Sequence, residues 1–274
     1  MAAVTARKSA PSPLIYRTSL PVRIWHWVNA LCIFMLLMSG ATIFNAHPRL
    51  YWGKAGAHHD MPWLFVGQRG HEGIVTVGGL EITTTGLLGL TPYSTKALPP
   101  ILTMPGYYSL AEGRQWHFFF AWALVFSLIS FILYSIFSRH LSRNLAPRLQ
   151  EISPAALWRD IKQHALRRFP VGEAAKDYNP LQKLSYVGVI LVLLPFAILT
   201  GLAMSPGLNA AWPMLLDILG GRQSARSIHF ICATAICMFI FIHIAMVFLA
   251  GPLNHLRSMI TGWYRLPRPQ GGDI

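Results

Sequence analysis

Charged residues are scarce in this chain, and acidic ones are scarcest. Charged side chains make up 12% of the 274 residues, about half of the roughly 25% typical of a soluble domain, whereas hydrophobic residues make up 53%. Such a chain has too few charges to cover a water-soluble surface. The same composition excludes intrinsic disorder, which needs high charge and low hydrophobicity. An integral membrane protein is the class that remains.

Cysteine is also rare. The three cysteines exclude a disulfide-stabilised secreted module, and the absence of a Cys-X-X-Cys-His motif excludes covalent attachment of a c-type haem. All three cysteines, Cys32, Cys232 and Cys237, lie within apolar runs, where we interpret them as small packing residues.

Basic residues outnumber acidic ones by 23 to 10, which could indicate binding to nucleic acid. Proteins that bind nucleic acid gather Lys and Arg on one basic face. Here the basic residues lie in the segments between long apolar runs, as in membrane proteins. We therefore expect no nucleic-acid partner.

Four apolar runs are long enough to cross the bilayer core, which takes about 20 helical residues. We predict spans at approximately 22–44, 115–137, 184–204 and 227–252, in a single membrane-integral domain of residues 1–274. Sixteen Lys and Arg residues fall on the side of the two termini and seven on the other, which predicts cytoplasmic termini. The predicted fold is an all-α, multi-pass membrane protein, a four-helix bundle.

The long connection 45–114 is predicted to be extracytoplasmic, and long ordered connections usually carry function. Its most apolar part, Ile74–Leu90, is too short and too rich in Gly and Thr for a fifth span. The Gly78-Gly79 pair between alternating apolar residues predicts two short strands joined by a two-residue turn.

The cytoplasmic connection is predicted to contain an amphipathic helix. Ser153-Pro154 is a good helix start, and an apolar residue then recurs every fourth position, at Leu157, Ile161, Ala165 and Phe169. Basic residues flank this stripe, as in helices that lie on a membrane surface. A solvated cytoplasmic helix fits the pattern equally well, and both interpretations stay open.

Histidines in the spans are the strongest functional signal, because ionisable side chains are costly in a bilayer. The four are His26, His117, His229 and His243. On the fourth span, the 14 residues from His229 to His243 place both on one helix face, about 21 Å apart. With the predicted topology, His26 shares the cytoplasmic depth of His243, and His117 shares the outer depth of His229.

Two imidazoles that face each other in a helical bundle are the axial ligands typical of b-type haem. We therefore predict two b haems, whose iron ligands are the pairs His26/His243 and His117/His229. A six-coordinate iron of this kind suits electron transfer. Zinc is disfavoured, because neither depth gathers more than two good ligands.

An arginine lies three residues before each of three of these histidines: Arg23, Arg114 and Arg226. A guanidinium can pair with the carboxylate of a haem propionate. An arginine at a helix end can also simply extend its charge to the interface, and both roles stay open. Three glycines in the spans, Gly40, Gly188 and Gly201, could give a flat porphyrin room against the helices.

The segments around the histidines resemble the prokaryotic cytochrome b561 and hydrogenase-type b cytochromes. They read Leu-Pro-Val-Arg-Ile-Trp-His-Trp (20–27), Gly-Arg-Gln-Trp-His-Phe (113–118) and Gly-Arg-Gln-Ser-Ala-Arg-Ser-Ile-His-Phe (221–230). More narrowly, the segments at 44–53 and 257–262 are similar to the branch called thiosulfate-reductase-type cytochrome b subunits. The resemblance covers roughly 16–262.

This resemblance implies a non-catalytic membrane anchor in the bacterial inner membrane. Such anchors pass electrons through two b haems between the quinone pool, an exchangeable substrate, and a periplasmic redox subunit, in this branch often a molybdopterin oxidoreductase. Because the sequence has no molybdopterin, iron–sulfur or nucleotide motif, any terminal chemistry would belong to another polypeptide, and we predict no catalytic residues here.

Two alternatives stay open. The first is a self-sufficient b561-type quinone oxidoreductase that takes electrons from a small soluble donor such as superoxide. The second is a haem-free transporter or structural membrane anchor, in which the histidines would line a proton path.

Overall fold

The computed structural model describes residues 12–57, 59–148, 150–166, 171–172 and 178–267. Four helical segments in this part of the chain are long and apolar enough to cross a membrane: Leu20–Phe44, Leu110–Phe137, Pro180–Ala203 and Arg222–Leu249. The prediction of four spans is therefore confirmed, and with it a mostly helical, multi-pass membrane protein.

The span helices differ from the predicted ranges at their ends. Helix α1 is Leu20–Phe44 and α2 is Leu110–Phe137, so α2 begins five residues before the predicted run. Its first turn contains Glu112 and Arg114, polar residues that a search for apolar runs leaves out. The third span is α4 (Pro180–Gly188), a π-helical turn at 189–193 and α5 (Leu194–Ala203).

The fourth span, α8, covers Arg222–Leu249 and is shorter at its carboxyl end than the predicted 227–252. Gly251 follows it with a φ of 104°, a left-handed conformation that ends a helix. Pro252 then opens a separate helix, α9 (Pro252–Thr261), at the position where proline is best tolerated.

Three further α-helices in the described part of the chain are shorter than the spans. Helix α3 is Pro154–Ala165, and α6 (Pro206–Ala211) and α7 (Met214–Ile218) lie between the third and fourth spans. The Ser153 hydroxyl accepts a bond from the Ala156 amide at 3.3 Å, so the predicted helix start is confirmed. The predicted apolar stripe is not uniformly buried. Leu157 is half-buried and Ile161 is exposed, whereas the buried residue of this helix is the polar Asp160. Phe169 lies outside the described residues.

The described ranges contain two small antiparallel sheets besides the helices that the all-α prediction described. One is a ribbon of β1 (Leu14–Tyr16) with β6 (Trp263–Arg265). The other has the order β2-β3-β4-β5. Its strands are Arg49–Leu50, Leu64–Arg69, Glu72–Val77 and Leu80–Thr83.

The predicted hairpin around Gly78-Gly79 is confirmed. These glycines have φ values of 57° and 89° and join β4 to β5, with Val77 opposite Leu80. Positive φ at both central residues is what a tight hairpin turn of this hand requires. Strands β2 and β3 extend the hairpin to a four-stranded sheet, which the sequence did not predict.

The described residues form two compact units. The described residues of Met1–Ile24, Leu133–Val187 and Ile242–Ile274 form one, and those of Trp25–Ile132 and Gly188–Phe241 form the other. We call them the terminal unit and the histidine-pair unit. The prediction of a single domain over 1–274 stays a prediction.

In the histidine-pair unit, the sheet packs on the ends of two spans. Its apolar cluster contains Leu50, Leu64 and Val66 from the sheet, together with Phe44 of α1. Phe230 of α8 stacks on Phe44 with 4.9 Å between ring centroids. The 45–114 connection is therefore an ordered cap on this end of the bundle, anchored by burial of apolar side chains.

In the terminal unit, the two ends of the described chain lie side by side. The β1–β6 ribbon joins them, and the hydroxyls of Thr18 and Ser258 share a buried hydrogen bond of 3.0 Å. Termini on the same side agree with an even number of spans. Which side of the membrane they occupy stays a prediction.

Candidate functional site

His117 of α2 and His229 of α8 face each other in the histidine-pair unit. Their ring centroids are 6.2 Å apart and their planes are inclined by 71°. These are the two histidines that the sequence places at the outer depth of the predicted bundle. The structure therefore brings this predicted pair together.

The His117 ring is held by α1. Its Nδ1 lies 3.1 Å from the hydroxyl of Ser39, a residue with no exposed surface, and within reach of the Leu36 backbone. The Ser39 hydroxyl also donates to the Met35 carbonyl at 2.6 Å, within its own helix. This contact uses Nδ1 and leaves Nε2 as the ring's metal-binding nitrogen.

The His229 ring is held in the same way by α5. Its Nδ1 lies 3.1 Å from the hydroxyl of Thr200, which also has no exposed surface, and 2.9 Å from the Ala197 carbonyl. A carbonyl can only accept, so Nδ1 carries the proton and Nε2 is the unprotonated nitrogen. This is the tautomer that a neutral imidazole needs in order to bind iron through Nε2.

A glycine follows each hydroxyl residue and lies beside the ring that the hydroxyl holds. A Cβ atom on Gly40 would be 3.5 Å from His117 Cε1, and one on Gly201 would be 3.3 Å from His229 Cε1. Cε1 is the ring atom between Nδ1 and Nε2, so the helix surface beside the metal-binding edge is bare at both positions. No atom lies within 4 Å of the corresponding point at Gly188.

The distance between the rings fits one metal ion held between them. An imidazole nitrogen lies about 2.0–2.1 Å from a bound metal, so two rings on opposite sides of one ion have centroids about 6 Å apart. The observed 6.2 Å agrees. Within the described ranges, no cluster of three or more His, Cys, Asp or Glu residues could hold a metal ion. Two imidazoles are therefore the donors that these residues could offer a metal, a set that fits bis-histidine haem.

The second predicted pair, His26 and His243, is divided between the two units. His26 belongs to the histidine-pair unit, where its ring contacts that of Trp27. His243 belongs to the terminal unit, where its ring centroid lies 6.4 Å from that of Tyr186. Their pairing stays a prediction from the sequence.

The three candidate arginines contact protein groups. Arg226 donates to the carbonyls of His47 and Arg49 from its two terminal nitrogens. The guanidinium of Arg114 lies 5.9 Å from the centre of the Phe118 ring. In the terminal unit, Arg23 donates to the Ile260 carbonyl at 2.5 Å. Arg226 therefore fastens the connection after α1 to α8, and a role with haem propionates stays a prediction for all three.

Serine side chains of α8 anchor the same connection. The Ser227 hydroxyl donates to the Tyr51 carbonyl at 2.6 Å and accepts from the Trp63 indole nitrogen at 2.9 Å. Ser224 accepts from the Gly53 amide at 2.7 Å. The helix that carries His229 is thus bonded to residues that flank strands β2 and β3.

Histidines outside the spans have more ordinary surroundings. His59 and His71 are exposed, and His58 lies outside the described residues. Burial lowers the pKa of His140 and of His255, and Arg17 adds to the lowering at His255. Both imidazoles are therefore neutral near pH 7.

Ser39 and Thr200 are the site residues that sequence reasoning missed. Each is a hydroxyl residue followed by glycine inside a span, a pattern that occurs at Ser39-Gly40 and at Thr200-Gly201. This repeated pair was the available signal. The glycines of both pairs, Gly40 and Gly201, are among the three that the sequence suggests as room for a porphyrin, whereas the hydroxyl residues before them are not.

Two relatives are similar to this chain over most of its length. One, from Azospira oryzae, is named "Putative protein-methionine-sulfoxide reductase subunit YedZ1" and is 29% identical over 201 residues, which is 73% of this chain and 94% of the relative. The other, from Cupriavidus necator, is named "Probable Ni/Fe-hydrogenase B-type cytochrome subunit" and is 22% identical over 275 residues, which is 95% of this chain and 90% of the relative.

Neither name contains thiosulfate reductase, so that narrower resemblance stays a prediction. The family model described as prokaryotic cytochrome b561 matches residues 17–262, a range that includes all four spans and all four of their histidines. With this match over most of its length, the chain belongs to the prokaryotic cytochrome b561 family.

Proposed function

We propose that this chain is a membrane electron-transfer subunit that carries two b haems and connects the quinone pool to a periplasmic redox subunit. The observation that supports it best is the His117–His229 pair, with 6.2 Å between ring centroids and both Nδ1 atoms engaged by buried groups. Haem supplies a one-electron ferric/ferrous couple when bound. The protein's part is to hold the two rings in place and to keep their Nε2 atoms unprotonated.

A second haem on His26 and His243 rests on sequence spacing. His243 follows His229 by 14 residues on α8, about 21 Å along the helix, and the predicted topology places His26 at the same depth on α1. Two iron centres at these depths would carry electrons across much of the bilayer. Cytoplasmic termini in a bacterial inner membrane, inferred from the distribution of Lys and Arg, complete the proposed arrangement.

The proposed partner docks on the cap formed by residues 45–114, with help from 205–226. Both relatives carry the names of redox-complex subunits, one of a methionine sulfoxide reductase and one of a hydrogenase, which supports a partner for this chain. We propose a molybdopterin oxidoreductase as that partner, from the narrower resemblance stated above. The described part of the chain provides the anchor, and the terminal chemistry would be the partner's.

Haem content measured on single-histidine variants tests the proposal. Purified wild-type protein should contain two protohaem equivalents and show a b-type α band on reduction. His117→Ala and His229→Ala should each lose one equivalent, the same haem in both, because a six-coordinate iron with one protein ligand is poorly held. His26→Ala and His243→Ala should each lose the other haem.

His71→Ala is the matched control, since His71 is an exposed histidine at the β3–β4 turn and should leave both haems in place. A common haem lost from the His26 and His117 variants would contradict the pairing. A spectrum without an α band would favour the haem-free transporter. A monomer that reduces quinone by itself, with no co-purified periplasmic subunit, would favour the self-sufficient oxidoreductase.

A further inference from the structure

The two histidines of the outer pair are held by identical devices from different helices. In each, a fully buried hydroxyl residue contacts the ring Nδ1 and bonds a carbonyl of its own helix: Ser39 on α1 and Thr200 on α5. We propose that Ser39 and Thr200 are positioning residues that fix the Nδ1–H tautomer of His117 and His229 and thereby lower the reduction potential of the iron. This inference rests on the proposed function.

Proton accounting at Ser39 determines the direction of the contact. A serine hydroxyl has one hydrogen and two lone pairs. The 2.6 Å bond to the Met35 carbonyl takes the hydrogen, because a carbonyl cannot donate. The oxygen can therefore only accept from His117 Nδ1, at 3.1 Å, and this nitrogen must carry the ring proton.

The accounting at Thr200 has the same outcome. Its hydroxyl lies 2.8 Å from the Phe196 carbonyl, which takes the hydrogen, so its oxygen accepts from His229 Nδ1. The Ala197 carbonyl shares that proton at 2.9 Å. His229 therefore has two acceptors on one N–H group, and the loss of Thr200 alone leaves one in place.

Other hydroxyls in the spans show that this second contact is specific. Ser130 donates to the Phe126 carbonyl at 2.7 Å and Thr234 to the Phe230 carbonyl at 2.9 Å, as hydroxyls in membrane helices commonly do. Both are exposed. Ser39 and Thr200 make the same bond within their helix, yet they are fully buried and directed at an imidazole.

An acceptor on Nδ1–H increases the electron density that Nε2 gives to a bound metal. A stronger donor stabilises ferric iron more than ferrous iron, so these contacts should lower the reduction potential of the outer haem. Removal of the acceptor should raise it. The effects should be of similar size at Ser39 and Thr200, because a backbone carbonyl remains beside Nδ1 in each case, that of Leu36 at His117 and that of Ala197 at His229.

Redox titration of purified, haem-loaded variants tests this inference. For Ser39→Ala we expect the ferrous-to-ferric ratio of the outer haem, at a fixed ambient potential, to rise about tenfold, which is 59 mV for one electron. Thr200→Val should give a rise of similar size, and Thr200→Ser, which retains the hydroxyl, should keep the wild-type ratio. Electron paramagnetic resonance of the ferric protein gives a second readout, since its spectrum depends on the angle between the axial ring planes.

Thr42→Val is the matched control. Thr42 is a fully buried hydroxyl residue one turn from Ser39 on α1, and it bonds Met38 and Met104. This substitution should leave the reduction potential of the outer haem unchanged.

A wild-type potential and spectrum in Ser39→Ala with the haem retained would overturn the inference and leave the proposed function intact. The inference would also be supported if Ser39→Ala lost the haem while Ser39→Thr and Thr42→Val retained it, because the contact would then contribute to haem affinity. A full haem complement in His229→Ala would instead refute the proposed function.

Discussion

Both compact units use buried hydroxyls to hold the chain together, and they differ in the ionisable groups that they add. In the histidine-pair unit hydroxyls such as Ser39, Thr200 and Ser227 join the helices and the cap, and Arg226 bonds the connection after α1. In the terminal unit Thr18 and Ser258 share a buried hydrogen bond, and pairs of ionisable groups are added: Lys183 bonds Glu151 at 3.1 Å, and Asp160 bonds His164 and the Leu181 amide. A neutral hydroxyl can be satisfied within a span at little cost, whereas a charge there is expensive. The hydroxyls of Ser39 and Thr200 lie inside spans, whereas these ionisable pairs lie outside a span or at the start of one.

The largest effect should follow from removing a hydroxyl that joins α8 to the cap. Ser227→Ala leaves the Tyr51 carbonyl and the Trp63 indole N–H without their partner. An unsatisfied buried group costs about 1–3 kcal/mol, so we expect a loss of about 3 kcal/mol in the free energy of local opening. Hydrogen exchange at the amides of β3 should then be on the order of 100-fold faster.

Thr234→Ala is the control for this prediction. Thr234 is on the same helix, is exposed, and bonds only the Phe230 carbonyl of its own helix in the described structure. Its removal should leave exchange in β3 at the wild-type rate. Equal rates in the Ser227 and Thr234 variants would mean that apolar packing alone holds the cap.

Local patterns in the sequence were enough to predict the outer histidine pair and the β4–β5 hairpin. The predicted topology places His117 and His229 near the outer ends of their spans, and Gly78-Gly79 allows few turns other than the one observed. The hydroxyl contacts were not predicted, because they join helices that lie far apart in sequence. Ser39 is 78 residues from His117, and no periodicity in either helix records that they meet.

The arginines show the same limit. Arg226 lies one turn before His229, and this spacing does not decide whether it pairs with a haem propionate or extends its charge to the interface. The structure instead gives it the carbonyls of His47 and Arg49, about 180 residues earlier in the chain. Strand β3 was missed although Gly70, with a φ of 60°, lies in the two-residue turn that joins it to β4. Its own residues do not alternate between apolar and polar, and pairing with β2 and β4 stabilises it.

A smaller effect should follow from removing an ionisable anchor in the terminal unit. The Asp160 carboxylate accepts from the Leu181 amide at 3.0 Å, at the first turn of the third span. Asp160→Ala removes this cap, which is worth about 1 kcal/mol, so exchange of the amides at 181–183 should be about fivefold faster. Asp160→Asn keeps an acceptor and should retain most of the protection. If the Asn variant loses as much as the Ala variant, the pairing with His164 matters more than the cap.

The smallest effect on stability, and the sharpest test of the depth argument, concerns the exposed side of α3. Asp160 and Glu151 tie this region to the start of the third span, where the chain enters the bilayer. Trp158 on α3 is 70% exposed and Ile161 is 44% exposed, with Arg159 and Lys162 also exposed on this helix. Basic residues near a membrane surface gain about 1 kcal/mol each from anionic lipids. We therefore expect Trp158 and Ile161 to lie in the headgroup region.

Spin labels on cysteine variants in anionic proteoliposomes measure this directly. A label at Trp158→Cys should collide with oxygen, which dissolves in lipid, more than with a water-soluble nickel complex. A label at Gln163→Cys, another exposed position about 140° around the helix, should show the reverse. Since both side chains are exposed, the fold should keep its stability in each variant, and only the surrounding solvent differs. Nickel access that is equally high at both positions would make α3 a solvated helix, and the charged anchors of the terminal unit would then lie in water rather than at the membrane surface.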